Sequence, residues 1–437
     1  MPLGQVAPSA DFKGKCSALR KALFPEPEEG STIPPLKSPT ADLTSETHPI
    51  TAGEITRAIG TCNLSSAPGH DTFPYTVINH LHKANPALLT GLYNASIMQS
   101  YYPKQWKHAN CVVIPKGGKR DPSAPSSYRP ISLLSNVGKI LEKIMARRLS
   151  AAAIACGAIT SSQFGAIEGR SATDALSAII HHSALLLTTP RNSANTSPPR
   201  PSFLTNDIAG AFNNTDPKRL RVIMEKRGIP SYITEWTASF TKGRTMSFNF
   251  DNQTESPQPF NSGLPQGSPT SPVLFLVYAQ AMMEAPPHPR EHNVSYLDDD
   301  ALLQVSPTLT GATKRLEERV ASRVERGEQL NLPYDFSKSG LMHLHPRTAP
   351  TSRNLPLHLP HTTIQASVSI RHLGVQLDQT LSFQSHMQNV VAKGMQTLGC
   401  LHRLQHQSTS LSFKVRRHLV TTILLPQMLW ASPAYWT

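Results

Sequence analysis

Three aspartates carry the strongest chemical signal in this chain. In residues 294–305 (VSYLDDDALLQV), apolar residues flank Asp298, Asp299 and Asp300, a pattern that predicts a tight hairpin with Asp298 and Asp299 at its tip. Carboxylates held so close repel one another unless a cation neutralises them, and hard oxygen ligands favour Mg²⁺ over zinc. Many acidic turns are simply solvated, so a metal role needs a third carboxylate from elsewhere. Residues 203–214 (FLTNDIAGAFNN) supply one. Asp207 follows a short β-rich run and precedes a helix start, a position from which a carboxylate can project off a sheet edge. Taken alone, a helix-proximal cap is the better reading of Asp207. Beside Asp298 and Asp299 it would help hold two Mg²⁺ ions, one lowering the pKa of an attacking 3′-hydroxyl and one stabilising a leaving pyrophosphate. That constellation is a phosphoryl-transfer site.

Between these carboxylates lies residues 262–278 (SGLPQGSPTSPVLFLVY), a Gly/Pro-rich loop running into an apolar helix, with Ser271 as the expected cap and Pro272 at the first helical position. Gly263 and Gly267 let backbone pass close to a planar ligand, and Gln266 can hydrogen-bond a base or a sugar. Other elements must position these parts. Val137, Ile140, Leu141 and Ile144 recur at helical spacing behind Ser135 or Asn136 as cap, interleaved with Lys139, Lys143, Arg147 and Arg148. A second helix opens at Asp216-Pro217, buries Leu220, Ile223 and Met224, and stops at Gly228. Leu316, Val320 and Val324 form a third stripe; core packing explains all three. Short β-rich runs fall at residues 111–114, 203–205, 245–250, 294–296 and 301–305. This order predicts an α+β fold rather than a doubly wound sheet.

The 42 Lys and Arg against 29 Asp and Glu give a net charge of +13, which points to a polyanionic partner such as nucleic acid. With 437 residues the chain should form two or three subdomains, and 39% hydrophobic residues argue against wholesale disorder. The longest apolar stretch, residues 272–283, falls well short of the roughly 20 residues a membrane helix needs. Five separated cysteines predict no disulfide framework and no zinc site. The closely spaced histidines, His181-His182, His343-x-His345 and His358-x-x-His361, read as surface or loop residues. Residues 25–40, 188–202 and 346–361 read as Pro-rich linkers.

The order of DIAGAF, GLPQGSPTSPVLF and YLDD resembles motifs A, B and C of reverse transcriptases, and their surroundings resemble the non-LTR, LINE-type retrotransposon polymerases. Upstream, WKHANCVVIPKGGKRDPSAPSSYRPISLLSNVGKILEKIMARRL is similar to the fingers of that family, and QFGAIEGRSATDAL to the stretch before motif A. Downstream, FSKSGLMHL resembles motif D and IRHLGVQLDQTLSFQSHM the primer-grip region. The resemblance implies a right-hand polymerase: an N-terminal Pro-rich segment (1–48), a fingers-like region (49–202), a palm with an antiparallel sheet (203–384) and thumb-like helices (385–437). It also implies RNA-templated DNA synthesis on a DNA primer from dNTPs, with two Mg²⁺ ions for which Mn²⁺ can substitute.

By the same resemblance, Asp207 and Asp298 are the principal metal ligands, Asp299 their supporting carboxylate and Ile208 a further metal contact. Phe212 matches the aromatic gate that rejects a ribose 2′-hydroxyl. Lys116 and Arg129 match basic residues near the incoming triphosphate, Gln266 and Gly267 the loop that packs on the nascent base pair, and Lys338 a proton donor to pyrophosphate. Lys116, Arg129 and Lys338 also fit ordinary surface charges. The chain departs from the family at Asn213, where a second acid often stands, and in AIEGRSATDAL, which leaves Arg170 without a firm counterpart. No nuclease, zinc-knuckle or ribonuclease H segment is recognisable, so a polymerase module from a longer element is expected. The rival readings are a silent remnant that keeps the fold and nucleic-acid binding, another palm polymerase, and a plain basic binding module. Family behaviour places such a protein in the nucleus or the cytoplasm; no targeting signal decides between them.

Overall fold

The computed structural model describes residues 11–25, 32–41, 43, 47–117, 121–188, 200–284, 290–346, 354–406 and 412–435. The strands along the chain are β1 (His108–Pro115), β2 (Tyr128–Leu133), β3 (Arg200–Asp207), β4 (Arg244–Phe250), β5 (Gln253–Thr254), β6 (Gln258–Phe260), β7 (Glu291–Tyr296), β8 (Asp299–Ser306), β9 (Gly340–His343), β10 (Leu357–Leu359), β11 (Thr362–Ile364), β12 (Ser369–His372) and β13 (Val375–Asp378). All five β-rich runs of the sequence are strands, and helices separate them except at the β7–β8 hairpin, in keeping with the α+β expectation. Two compact units share the chain. The first comprises Met1–Ser161, Ala209–Ala285 and Arg323–Pro333, the second Ser162–Ile208, Pro286–Ser322 and Tyr334–Thr437.

The first unit is built on a sheet of order β2-β1-β4-β5, with β6 also on β4. β1 and β2 are antiparallel, whereas β1 and β4 run parallel. Cys16, Leu19 and Leu23 of the Phe12–Leu23 helix pack with Cys111, Val113, Met246 and Phe248 of these strands. The Asn136–Ala155 helix is capped by Ser135, whose hydroxyl accepts from Gly138 N, and Ile140, Leu141 and Ile144 are buried as their spacing predicts. Asp216 caps Pro217–Lys226 in the same way, and Gly228 ends that helix with φ +71°. The Ser271–Met283 helix is apolar around its whole circumference, so it is buried on every side. Its cap is Thr270 rather than Ser271, because the Ser271 hydroxyl donates to Pro265 O instead. Arg227 and Glu284 pair with their side chains only 1% and 3% exposed. Part of the first Pro-rich stretch is no free linker: Lys37 N donates to Glu284, and Arg326 donates to Pro35 O.

The second unit is built on an antiparallel sheet of order β7-β8-β3-β9. β3 and β8 form its centre and are buried along both faces. On one side Phe203, Leu303 and Met342 pack with Leu176 and Ile179 of the Ala172–Thr188 helix and with Ile370, Val375 and Leu377 of the β12–β13 hairpin. His343 belongs to this interior, contrary to the surface role read from His343-x-His345. It is 2% exposed, and its ring nitrogens hydrogen-bond with Ser202 Oγ and Leu355 O. Two other Pro-rich stretches contain strand residues, at Arg200–Ser202 and Leu357–Leu359, while residues 189–199 and 347–353 lie outside the described residues. The Gln384–His406, Phe413–Leu419 and Leu425–Leu429 helices follow β13. No helix among the described residues is long and apolar enough to cross a membrane.

Candidate active site

Hairpin geometry decides where the acidic residues stand. Tyr296 pairs with Asp299, so only Leu297 and Asp298 form the turn, and Asp299 opens β8 rather than sharing the tip. Leu297 has φ +58°, a conformation that two-residue hairpins usually give to Gly or Asn. A segment from 134 residues earlier holds it there: Gln163 Oε1 accepts from Leu297 N at 3.0 Å and from Gly165 N at 2.8 Å. A Cβ on Gly165 would lie 2.5 Å from Leu297 N, so only glycine permits this approach. Phe164 N donates to Ser295 O, and Ser295 N to Ser162 O, which covers the outer edge of β7. This clamp was missed from sequence, although it falls in the stretch marked as preceding motif A.

Asp207 ends β3 directly opposite Asp299 in the antiparallel ladder. Two like charges in register across a ladder repel. Burial, then the charges of Asp298 and Asp207, push the Asp299 carboxyl up to about 7, with Lys338 pulling the other way. The backbone fixes the arrangement: Ile208 N donates to Asp298 O at 3.1 Å, and Asp335 N to Asp207 O at 2.8 Å. The buried Ile208 side chain is a hydrocarbon and its N–H is a donor, so its carbonyl oxygen is the only atom it can offer a cation. Asp300 alternates to the opposite face. It is fully buried, accepting from Ser295 Oγ at 3.1 Å and Tyr334 OH at 3.0 Å, and so serves the fold rather than the site.

Lys338, half exposed, sits over this edge and pairs with both Asp207 and Asp335, the latter at 3.0 Å. Burial works against its charge, but the bonds to the two aspartates prevail and raise its pKa. Sequence reasoning did not find Asp335, three residues before Lys338. Among the described residues no three His, Cys, Asp or Glu side chains converge closely enough to hold an ion as they stand. The donor chemistry nevertheless fits a divalent cation: clustered carboxylate oxygens in mutual repulsion, with the pKa of one of them pushed up by burial and by that repulsion.

The remaining predicted residues belong to the first unit. Gly267 has φ +125°, and a Cβ there would lie 2.5 Å from Ser132 O; Gln266 O in turn accepts from Ser132 N at 2.7 Å. Gln266 Nε2 donates to Asn213 Oδ1 at 3.2 Å, which gives the unexpected Asn213 a positioning contact. Phe212, partly buried, packs on Phe275 at 5.4 Å between ring centroids, and its carbonyl accepts from Leu264 N. Behind the loop, the wholly buried Glu142 accepts from Ser268 Oγ and Tyr102 OH, and its carbonyl accepts from Thr270 Oγ1. Lys116 follows β1 and Arg129 lies on β2, together at one end of that hairpin. Lys116 donates to Ser126 O, whereas the Arg129 side chain is exposed.

Residues 114–377 match the family model described as reverse transcriptase (RNA-dependent DNA polymerase). The chain is 27% identical over 391 residues to the RNA-directed DNA polymerase from mobile element jockey of Drosophila melanogaster, an alignment covering 88% of this chain and 41% of that protein. It is 26% identical over 396 residues to the probable RNA-directed DNA polymerase from transposon BS of the same species, covering 87% and 42%. Against a Pol polyprotein from the type-1 retrotransposable element R1 of Bradysia coprophila it is 25% identical over 407 residues, covering 92% and 38%. The chain thus spans about two fifths of the length of these curated relatives.

Proposed function

Because the chain belongs to the reverse transcriptase (RNA-dependent DNA polymerase) family, we propose that it copies an RNA template into DNA, adding dNTPs to a primer 3′-hydroxyl for a non-LTR retrotransposon. The observation that carries this reading is the register of Asp207 opposite Asp299, with Asp298 in the adjoining turn. A right-hand arrangement accompanies it, with fingers at 49–202, palm at 203–384 and thumb-like helices at 385–437, after a leading segment at 1–48.

Asp207, Asp298, Asp299 and the Ile208 carbonyl would hold Mg²⁺. When bound, such ions lower the pKa of the attacking hydroxyl and neutralise charge on the pyrophosphate. Cation binding requires that Lys338 yield Asp207, and it would favour the ionised form of Asp299. A released Lys338 ammonium is then free to donate a proton to the leaving group. Phe212 excludes a 2′-hydroxyl, Gln266 and Gly267 support the new base pair, and Lys116 and Arg129 bind the triphosphate, Arg129 by forking onto its oxygens. The +13 charge holds the template and primer mainly through phosphates.

The test is primer extension on poly(rA)·oligo(dT) with dTTP and Mg²⁺, beside an Asp298→Ala/Asp299→Ala double variant. Extension by the wild type and none by the variant supports the proposal. A folded wild type that binds the duplex and does not extend it overturns it in favour of a silent remnant, the reading to which the pairing of Lys338 with Asp207 lends weight. Equal incorporation of ribo- and deoxynucleotides would refute the role given to Phe212.

A further inference from the structure

Of the five cysteines, Cys62 stands against a lysine amine. Cys16, Cys111 and Cys156 are buried, and burial above all pushes the thiols of Cys16 and Cys111 up to about 12. Cys400 is exposed and meets Arg403, whose guanidinium is no nucleophile. Cys62 is half-buried just past the Ala52–Gly60 helix, and its sulfur lies 3.2 Å from Lys143 Nζ on the Asn136–Ala155 helix. Hydrogen bonds hold both atoms in place. Lys143 Nζ also donates to Thr61 Oγ1 at 3.0 Å, while the Cys62 thiol donates to Ala58 O at 3.3 Å and Cys62 N to Ile59 O at 2.9 Å. The buried Tyr75 hydroxyl, on the Tyr75–Ala84 helix, hydrogen-bonds with Cys62 from a third element. A second amine, Lys139, lies one helical turn before Lys143.

A thiol and an amine held in contact can be joined by oxidation. Hydrogen peroxide converts a thiol to a sulfenic acid with release of water, and a sulfenic acid condenses with a nitrogen nucleophile to a sulfenamide. Here the Lys143 nitrogen, as the free amine, attacks the Cys62 sulfur; the S–O bond breaks as the S–N bond forms, and the departing hydroxide takes the proton that the amine gives up. One thiol, one amine and one peroxide thus give one S–N bond and two waters, the sulfur losing the two electrons that peroxide gains. A dithiol reverses the link: one thiol attacks the sulfur and releases the amine, and the second releases the cysteine. We propose that Cys62 and Lys143 form such an oxidant-dependent, reversible covalent staple within the first unit. It spans 81 positions of chain and ties down the helix on which the neighbouring Glu142 holds Ser268 and Thr270 behind Gly267.

The full chain would be treated with hydrogen peroxide, its free thiols alkylated, and the product digested with trypsin for mass spectrometry. The proposal expects a joined peptide pair linking Cys62 to Lys143, lighter by two hydrogens than the sum of its parts and uncut at Lys143, and dithiothreitol should return the separate peptides. Lys143→Arg, which keeps the charge without the nucleophilic amine, and Cys62→Ser should each abolish the pair. The staple should also raise the melting temperature of the wild type by about 5 °C or more, an effect reversed by dithiothreitol and absent from both variants. A folded wild type in which Cys62 goes on to sulfinic acid, or stays free, with no joined pair overturns the inference. So does an equal yield of joined pair in Lys143→Arg, which would put the bond on Lys139. A joined chain that melts no higher than the reduced one refutes the stapling role. None of these readouts uses nucleotide incorporation, so their failure is separate from failure of the polymerase reading.

Discussion

Both units hold polar groups inside a protein, and they differ most at the carboxylate edge of the second. In the first, buried charge is matched at Arg227 with Glu284, Arg219 with Asp216, and Glu142 with two hydroxyl donors, whereas the buried Arg244 is held by Phe240 O and by the Phe240 and Tyr102 rings. The second also buries a matched pair, Arg319 with Glu291 at 3.0 Å, but at the carboxylate edge and in its histidines the buried polarity is mismatched or neutral. His343, His372 and His386 are held below the ordinary histidine range by burial, His372 down to about 4, and Asp299 faces like charges. Matched charge makes a rigid support that is indifferent to moderate pH. Mismatched charge leaves a site that responds to protons and cations, as a carboxylate edge meant to receive a metal must.

Asp299→Asn sharpens this contrast most. Extension should fall by at least about 10²-fold, while the melting temperature rises at pH 8, because a buried repulsion worth roughly 1–3 kcal/mol is removed. Loss of activity together with loss of stability would break the comparison. In the first unit the opposite holds. Arg227→Met leaves Glu284 buried without its main partner and should destabilise by about 3–5 kcal/mol in urea unfolding, with Arg227→Met/Glu284→Leu recovering most of that.

Mild acid gives the next effect. A histidine depressed on folding contributes stability above its unfolded pKa near 6.5, lost as pH falls through the folded value, here about 4 for His372. Asp299 works in reverse: raised to about 7, it lends stability as pH falls from there toward the ordinary aspartate value of 3.8. Hydrogen exchange should therefore show the core around His372 losing protection as pH falls from 6.5 to 4, and more steeply in Asp299→Asn. The smallest effect belongs to the turn. Leu297→Asn relieves a left-handed leucine and should stabilise by about 1 kcal/mol or less, whereas Gln163→Ala should lower stability and extension together.

Local pattern made much of this legible. Strand runs and the Ser135, Asp216 and Gly228 helix signals depend on neighbours within a few residues, and the structure bears them out. What failed depends on distant partners. Asp298 and Asp299 were placed together at the tip because turn rules look for Asn, Asp or Gly; the leucine that takes the strained position is held by Gln163. His343 reads as a surface residue until Ser202, 141 positions away, is placed against it. The site itself was readable as residue types in order, but the hold of Lys338 on Asp207 spans 131 positions and leaves no local trace.

The division of the chain also bears on how it is made. The first unit lacks residues 323–333 until late in synthesis, although Leu330 O receives the Tyr278 hydroxyl at 2.8 Å and Leu332 N donates to Gly327 O within that piece. At about 5–20 residues per second, the ribosome needs roughly 2–10 s to pass from Ala285 to Pro333. Through that interval the nascent first unit exposes the surface its last piece will cover, so chaperone dependence should be set by this delay, and truncation before Pro333 should yield aggregates rather than a smaller folded protein.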